Sequence, residues 1–108
     1  MRNRPQFQRA ARALRQGTDS LLLQARDRGD GSAQVNVGFT CSRKLGNAVA
    51  RNRAKRRLRH LAAEILPEQA RPGWDYVLIG RPDKTAMLPF EQLRRDLRFA
   101  LGRVHGRT

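Results

Sequence analysis

Between Gly46 and Pro67, Ala50, Ala54, Leu58, Leu61 and Ile65 step by four, four, three and four. That is the period of an α-helix with a single buried stripe. A strand could not bury these side chains together, because its alternate residues point to opposite faces. Asn47 can cap such a helix and Pro67 can end it, so the spacing predicts one long helix between them. With the stripe turned inward, Asn52, Arg53, Arg56, Arg59 and His60 share the opposite side. Arg51 and Lys55 fall on one flank and Arg57 on the other. Whatever this helix packs on must cover one side and leave a cationic ridge uncovered.

The flanking segments supply the rest of a small core. Pro5 suits a first helical turn, and Phe7, Ala10, Ala11 and Leu14 follow at helical spacing until Gly17 stops them. Leu21 to Ala25 reads as a short strand. The Arg28-Gly29-Asp30-Gly31-Ser32 cluster reads as a turn. Val35 to Cys41 alternates strictly, with Val35, Val37, Phe39 and Cys41 on one face and Asn36, Gly38 and Thr40 on the other. These two strands are expected to pair as a hairpin. Pro72-Gly73 is a turn, and Asp75 to Gly80 reads as a buried strand. Pro89 starts a last helix with core positions Phe90, Leu93, Leu97, Leu101 and Val104. The expected order is helix, strand, strand, long helix, strand, helix. That makes an α+β fold, an α/β sandwich with a small mixed sheet. At 108 residues, the chain is expected to be a single domain spanning 1–108.

Charge narrows the partner. The 23 Lys and Arg less the 9 Asp and Glu leave +14, a density that resists compaction unless a polyanion neutralises it. Nucleic acid fits, since each phosphate contact releases a counterion. Arg outnumbers Lys, which suits bidentate phosphate contacts. A membrane surface would call for an amphipathic anchor with a broad apolar face, and no segment outside the core offers one. The single cysteine, Cys41, cannot close an internal disulfide, and no apolar run resembles a signal peptide, so a reduced cytoplasmic location is expected.

The charge concentrates in residues 43 to 60, which hold Arg43, Lys44, Arg51, Arg53, Lys55, Arg56, Arg57 and Arg59 and no acid. A merely solvated helix face would include Glu to relieve repulsion between turns. Catalysis by the chain itself would need a nucleophile with a base, or clustered carboxylates. Its acids are scattered, so no catalytic residue and no metal site are expected. His60 reads as a solvated surface histidine, His105 carries no assigned role, and Cys41, Trp74 and Tyr76 read as packing residues.

The run Ser42-Arg43-Lys44-Leu45-Gly46-Asn47-Ala48-Val49-Ala50-Arg51-Asn52-Arg53-Ala54-Lys55-Arg56 resembles the signature of the bacterial ribonuclease P protein family. The strands on either side match that family's layout. The resemblance implies that the long helix is a left-handed crossover between two parallel strands, an exception to the usual hand. It also implies an RNA-binding subunit, assisting a catalytic RNA in removing the 5′ leader from precursor tRNA, with Mg²⁺ held mainly by that RNA. By matching positions, Arg51, Asn52, Arg53, Lys55, Arg56 and Arg59 would meet RNA, with Ser42, Arg43 and Lys44 beside them. The leader would lie in a cleft between the first helix and the sheet, with Phe7, Arg9, Asn36 and Thr40 as its candidate contacts. The chain departs from the family pattern there: Ala10 and Ala11 stand where a second aromatic is common. A ribosomal-type or architectural RNA-binding protein would share the charge and fold class, and only the Arg-Asn-Arg run with its flanks separates the two.

Overall fold

A computed structural model of the chain describes residues 14–41, 48–81 and 83–106. Among these residues, four strands and three helices follow in the order β1 (Leu14–Gly17), β2 (Leu21–Asp27), β3 (Asn36–Cys41), α1 (Ala48–Gln69), β4 (Trp74–Gly80), α2 (Lys84–Met87) and α3 (Phe90–Gly106). The strands form one sheet in the order β1-β2-β4-β3. β2 runs antiparallel to both β1 and β4, while β3 runs parallel to β4. The α+β class and the mixed sheet are as expected.

The expected hairpin between Leu21–Ala25 and Val35–Cys41 does not form. β4 lies between those strands, paired with β2 from Leu21↔Gly80 to Asp27↔Trp74 and with β3 from Asn36↔Asp75 to Cys41↔Gly80. Tyr76 and Leu78 explain the choice. They are fully buried, and in the centre of the sheet each has an apolar neighbour on both sides: Ala25 and Val37 beside Tyr76, Leu23 and Phe39 beside Leu78. The helix expected from Pro5 falls largely outside the described residues, but its last turn is corrected. Leu14 and Gly17 belong to β1, whose four residues pair with Leu22 to Ala25.

The register puts Leu21, Leu23, Ala25, Val37, Phe39, Cys41, Tyr76 and Leu78 on one face, and both long helices cover it. α1 delivers Leu58, Leu61, Ala62, Ile65 and Leu66, and α3 delivers Leu93, Leu97, Ala100, Leu101 and Val104. Ala54 is buried separately, against Ala86 of α2. Phe90 is only half-buried, because it sits at the seam between the long helices under the guanidinium groups of Arg57 and Arg94. α1 continues two residues beyond Pro67 to Gln69. A proline in a last turn forfeits one N–H bond there, too little to end a helix held by Ile65 and Leu66. Pro89 does start α3: its carbonyl accepts the N–H groups of Gln92 and Leu93, at 2.9 and 3.3 Å.

Cross-contacts fix how the two long helices lie. Arg57 stands over Phe90, Arg94 donates to Glu64 at 2.6 Å, and Arg71 just past α1 donates to the His105 carbonyl at 3.4 Å. Residue numbers rise together along both, so α1 and α3 run parallel, side by side. Gly73 turns the chain from α1 into β4 at a φ of 83°, and a Cβ there would stand 2.8 Å from the Ser32 carbonyl oxygen. Only glycine satisfies both constraints.

His105, unassigned from sequence, closes the lower end of the core. Its Nε2 lies 2.8 Å from the Tyr76 hydroxyl, which also accepts the Arg71 N–H at 2.8 Å, and its ring meets Trp74 edge-on. Burial, and then the Arg71 charge, hold His105 below the ordinary imidazole range. As pH falls, the unfolded chain therefore takes up the proton before the folded one. The stability from this contact is full above the ordinary value of 6.5 and is lost as pH drops below it. The urea midpoint of the wild type is expected to exceed that of His105→Gln at about pH 7.5 and to converge on it towards about pH 5.5. A gap that stays constant over that interval would show that His105 does not titrate in this way.

Candidate nucleic-acid interface

The buried stripe of α1 dictates which of its cations face outward. Asn52, Arg53, Arg56, Arg59 and His60 are exposed, whereas Arg51, Lys55 and Arg57 are half-buried on the flanks. Val49, Asn52, Lys55, Arg56 and Arg59 line a shallow depression of about 510 Å³. Arg59 also forms a wall of a second, apolar groove of similar size that runs between β3 and the end of α1, lined by Val37, Phe39, Ala62 and Leu66.

The cations of α1 fall into two groups. Arg53 Nε donates to the Ala86 carbonyl at 3.0 Å, and Arg57 Nη1 donates to the Thr85 carbonyl at 2.9 Å. Both thus hold carbonyls at the end of α2, where a helix leaves its acceptors unsatisfied. α2 is itself fixed from the sheet: the Thr85 hydroxyl donates to the Ser20 carbonyl and accepts the Arg81 N–H. Burial, and then the neighbouring Arg53 charge, pull Arg57 below the usual arginine value. Lys55, Arg56 and Arg59, by contrast, make no hydrogen bond or ion pair with another described residue. Their charge is uncommitted within the described fold.

Of the other expected RNA contacts, Ser42, Arg43 and Lys44 lie outside the described residues, and so do Phe7 and Arg9. Asn36 and Thr40 are exposed on the sheet face turned away from the helices. The structure therefore separates them from the α1 ridge. Asn36 is engaged: its Nδ2 donates to Asp75 Oδ1 at 3.0 Å, and its Oδ1 accepts from Gln34 at 3.1 Å. Asp75 also accepts from Arg26 at 2.6 Å and Arg28 at 2.7 Å. Burial pushes the Asp75 carboxyl up, and the bonds from Arg28, Arg26 and Asn36 outweigh it, so it rests below the usual carboxylate range. Among the described residues, no three His, Cys, Asp or Glu side chains gather as metal ligands, and no helix is long and apolar enough to cross a membrane.

A long helix carrying uncommitted cations, placed between parallel strands, is the arrangement on which known proteins can be compared. The family model described as Ribonuclease P matches residues 1–105. The chain belongs to that family. A Ruegeria pomeroyi relative, named a ribonuclease P protein component, is 60% identical over 106 residues, covering 97% of this chain and 85% of the relative. One from Caulobacter vibrioides with the same name is 45% identical over 101 residues, covering 94% of this chain and 67% of its own length. Among solved structures, the RNase P protein of Thermotoga maritima superposes with a TM-score of 0.73 at 22% identity, over 95% of this chain and 94% of that one. The Staphylococcus aureus RNase P protein gives 0.69, also at 22% identity, over 96% and 93%. At that identity the structures establish the shared fold.

Sequence reasoning missed the short helix α2, and with it the fact that Arg53 and Arg57 are partly structural. Four residues give no readable period, so only the excess of arginine on that flank hinted at a partner. The division is testable by urea denaturation. Arg57→Ala is expected to lower stability by about 1–2 kcal/mol, since it strands a partly buried carbonyl. Arg56→Ala should stay within about 0.5 kcal/mol of wild type. Equal losses in the two variants would erase the distinction.

Proposed function

We propose that this chain is the RNA-binding protein subunit of ribonuclease P, which assists a catalytic RNA in removing the 5′ leader from precursor tRNA in the cytoplasm. The observation that carries this reading is the acid-free stretch of α1 from Arg51 to His60, on which Lys55, Arg56 and Arg59 have no hydrogen-bond or ion-pair partner among the described residues. In a chain of this family, that ridge is the natural seat for the phosphates of the RNA subunit. Asn52 adds a neutral donor and acceptor within the same depression, and Arg53 keeps its terminal nitrogens for RNA while Nε holds the Ala86 carbonyl. Arg51, with Ser42, Arg43 and Lys44 just before the helix, would extend the contact at its N-terminal end.

In this reading the hydrolytic chemistry would be supplied by Mg²⁺ held by the RNA, and no residue of this chain is assigned to hold it. The protein contributes by screening repulsion between crowded RNA strands and fixing their geometry. The reverse sheet face, with Thr40 and the Asn36–Asp75 cluster, would receive the leader together with Phe7 and Arg9. The two RNAs would thus approach different sides of one small domain.

The deciding experiment is cleavage of precursor tRNA at low Mg²⁺ by a bacterial ribonuclease P RNA, with and without this protein. Cleavage that depends on added protein is the expected result, and RNA binding without any stimulation would reassign the chain to an architectural role. In the same system, Arg56→Gln with Arg59→Gln should weaken binding to the catalytic RNA. The double variant should also make the salt dependence shallower by roughly one to two in the log–log slope, because two phosphate contacts are lost. An unchanged slope would remove these residues from the interface.

A further inference from the structure

The outer side of α3 has a composition that folding does not require. Leu93, Leu97, Ala100, Leu101 and Val104 already complete its buried stripe. Yet Phe99 points outward, 55% exposed. The exposed Arg95 and Arg103 stand one turn before and after it, and the exposed Arg98 lies further round, one turn before Gly102; none of the three bonds or pairs with a carboxylate among the described residues. The acids of this region are engaged elsewhere: Glu64 and Glu91 hold Arg94, and Asp96 accepts from the Ser20 hydroxyl and N–H. An exposed aromatic ring is therefore flanked along its helix by arginines that have no carboxylate partner among the described residues.

The glycines give a second, independent observation. Gly102 lies three residues beyond Phe99 on the same side, and Gly106 lies seven beyond. A Cβ at either would meet no atom within 4 Å, and neither residue adopts a positive φ. Gly106 ends the helix, but Gly102 is interior, where glycine costs about 1 kcal/mol relative to alanine, and neither sterics nor backbone conformation calls for it there. What the two positions share is a bare helix surface beside the Phe99 ring. A flat ligand stacked on that ring meets no side chain along the axis, while Arg95, Arg98 and Arg103 reach around it.

We propose that the outer side of α3, built from Phe99 with Gly102 and flanked by Arg95, Arg98 and Arg103, is a second RNA contact that stacks an unpaired base of single-stranded RNA. The ring supplies the stacking platform and the arginines take the adjoining phosphates, the combination by which single strands are held without sequence preference. This rests on the reading of the protein as RNA-binding but not on the α1 ridge. Because α1 and α3 run parallel in one layer, Phe99 lies about seven residues further along the axis than His60 and one helix spacing to the side, roughly 15 Å away.

The test uses the full-length protein, a fluorescein-labelled ten-nucleotide oligouridylate, and fluorescence anisotropy at low salt. Phe99→Ala should weaken binding roughly tenfold, while Phe99→Trp should retain it. Gly102→Gln should raise the thermal melting temperature, as expected for a better helix former, yet weaken binding to a similar extent by covering the platform. That opposition between stability and binding would not arise from unfolding or from charge alone. Wild-type affinity in both Phe99→Ala and Gly102→Gln overturns the proposal. So does a wild-type self-association, seen by sedimentation, that Phe99→Ala abolishes with RNA binding intact, because the face would then join two copies of the chain.

Two further arms locate the strand. A Phe99→Ala defect on precursor tRNA with a ten-nucleotide leader, absent with a two-nucleotide leader, places the strand in the substrate. A defect in binding the catalytic RNA alone places it there. The Arg56→Gln/Arg59→Gln variant should keep its Phe99-dependent oligouridylate binding. Failure of the ridge reading and failure of this one are thereby told apart.

Discussion

Six cations within nine residues, from Arg51 to Arg59, can share one helix only because its other side is held down. Five pairs among them are three or four residues apart, and each costs about 0.2–0.5 kcal/mol when unrelieved. The total, roughly 1–2.5 kcal/mol, would melt a helix of this length standing alone. Burial of Leu58, Leu61, Ile65 and Leu66 against the sheet offsets it several times over, at about 1.5–3 kcal/mol for each side chain. The concentration of charge and the quality of the core beneath it are one design. A weaker stripe would force acids into the ridge, and acids would spoil it for phosphate.

The molecule also places its few acids where they do not reach the ridge. Asp75 gathers Arg26, Arg28 and Asn36 at one end of the sheet, Glu64 and Glu91 take Arg94 at the seam between the long helices, and Asp96 ties α3 to Ser20. These bonds are structural and lie away from the depression around Asn52, Arg56 and Arg59. Arg53 and Arg57 mark the border: their guanidinium groups hold main-chain carbonyls of α2 and so give the ridge a fixed edge. Positive charge is thereby sorted into a share that builds the domain and a share with no counter-charge among the described residues.

Much of this was legible in the residues, and the misses follow a physical pattern. Periodicity reports which side of an element is buried, so the stripe of α1, the alternation of Val35 to Cys41 and the core positions of α3 could be read directly. It does not report which strand lies alongside which. The hairpin was expected because strands adjacent in sequence usually pair, whereas Tyr76 and Leu78 win the central position through apolar neighbours distant in the chain. Leu14 to Gly17 is too short to show whether its period is two or 3.6 residues. On the interface, the exposed cations of α1 were found by geometry alone. The carbonyls that engage Arg53 and Arg57 were invisible, because main-chain acceptors leave no mark in a sequence. Phe99 was passed over because the buried stripe of its helix was already complete without it.

The position of β4 has a consequence for how the chain comes into being. Until residues 74–80 have left the ribosome, β3 has no strand to bond and β2 has only β1, since β2 and β3 each pair with β4 and not with one another. β1 and β2 can form a local ribbon early, but a two-stranded ribbon is marginal by itself. The helix that carries six of the 23 cations is therefore synthesised before the sheet that must hold it exists. Closing that sheet joins Leu21 to Gly80 and Asn36 to Asp75, pairings that span much of the sequence. Sheet closure accordingly comes late in synthesis, and these long-range pairings add a chain-closure cost that helix formation does not carry.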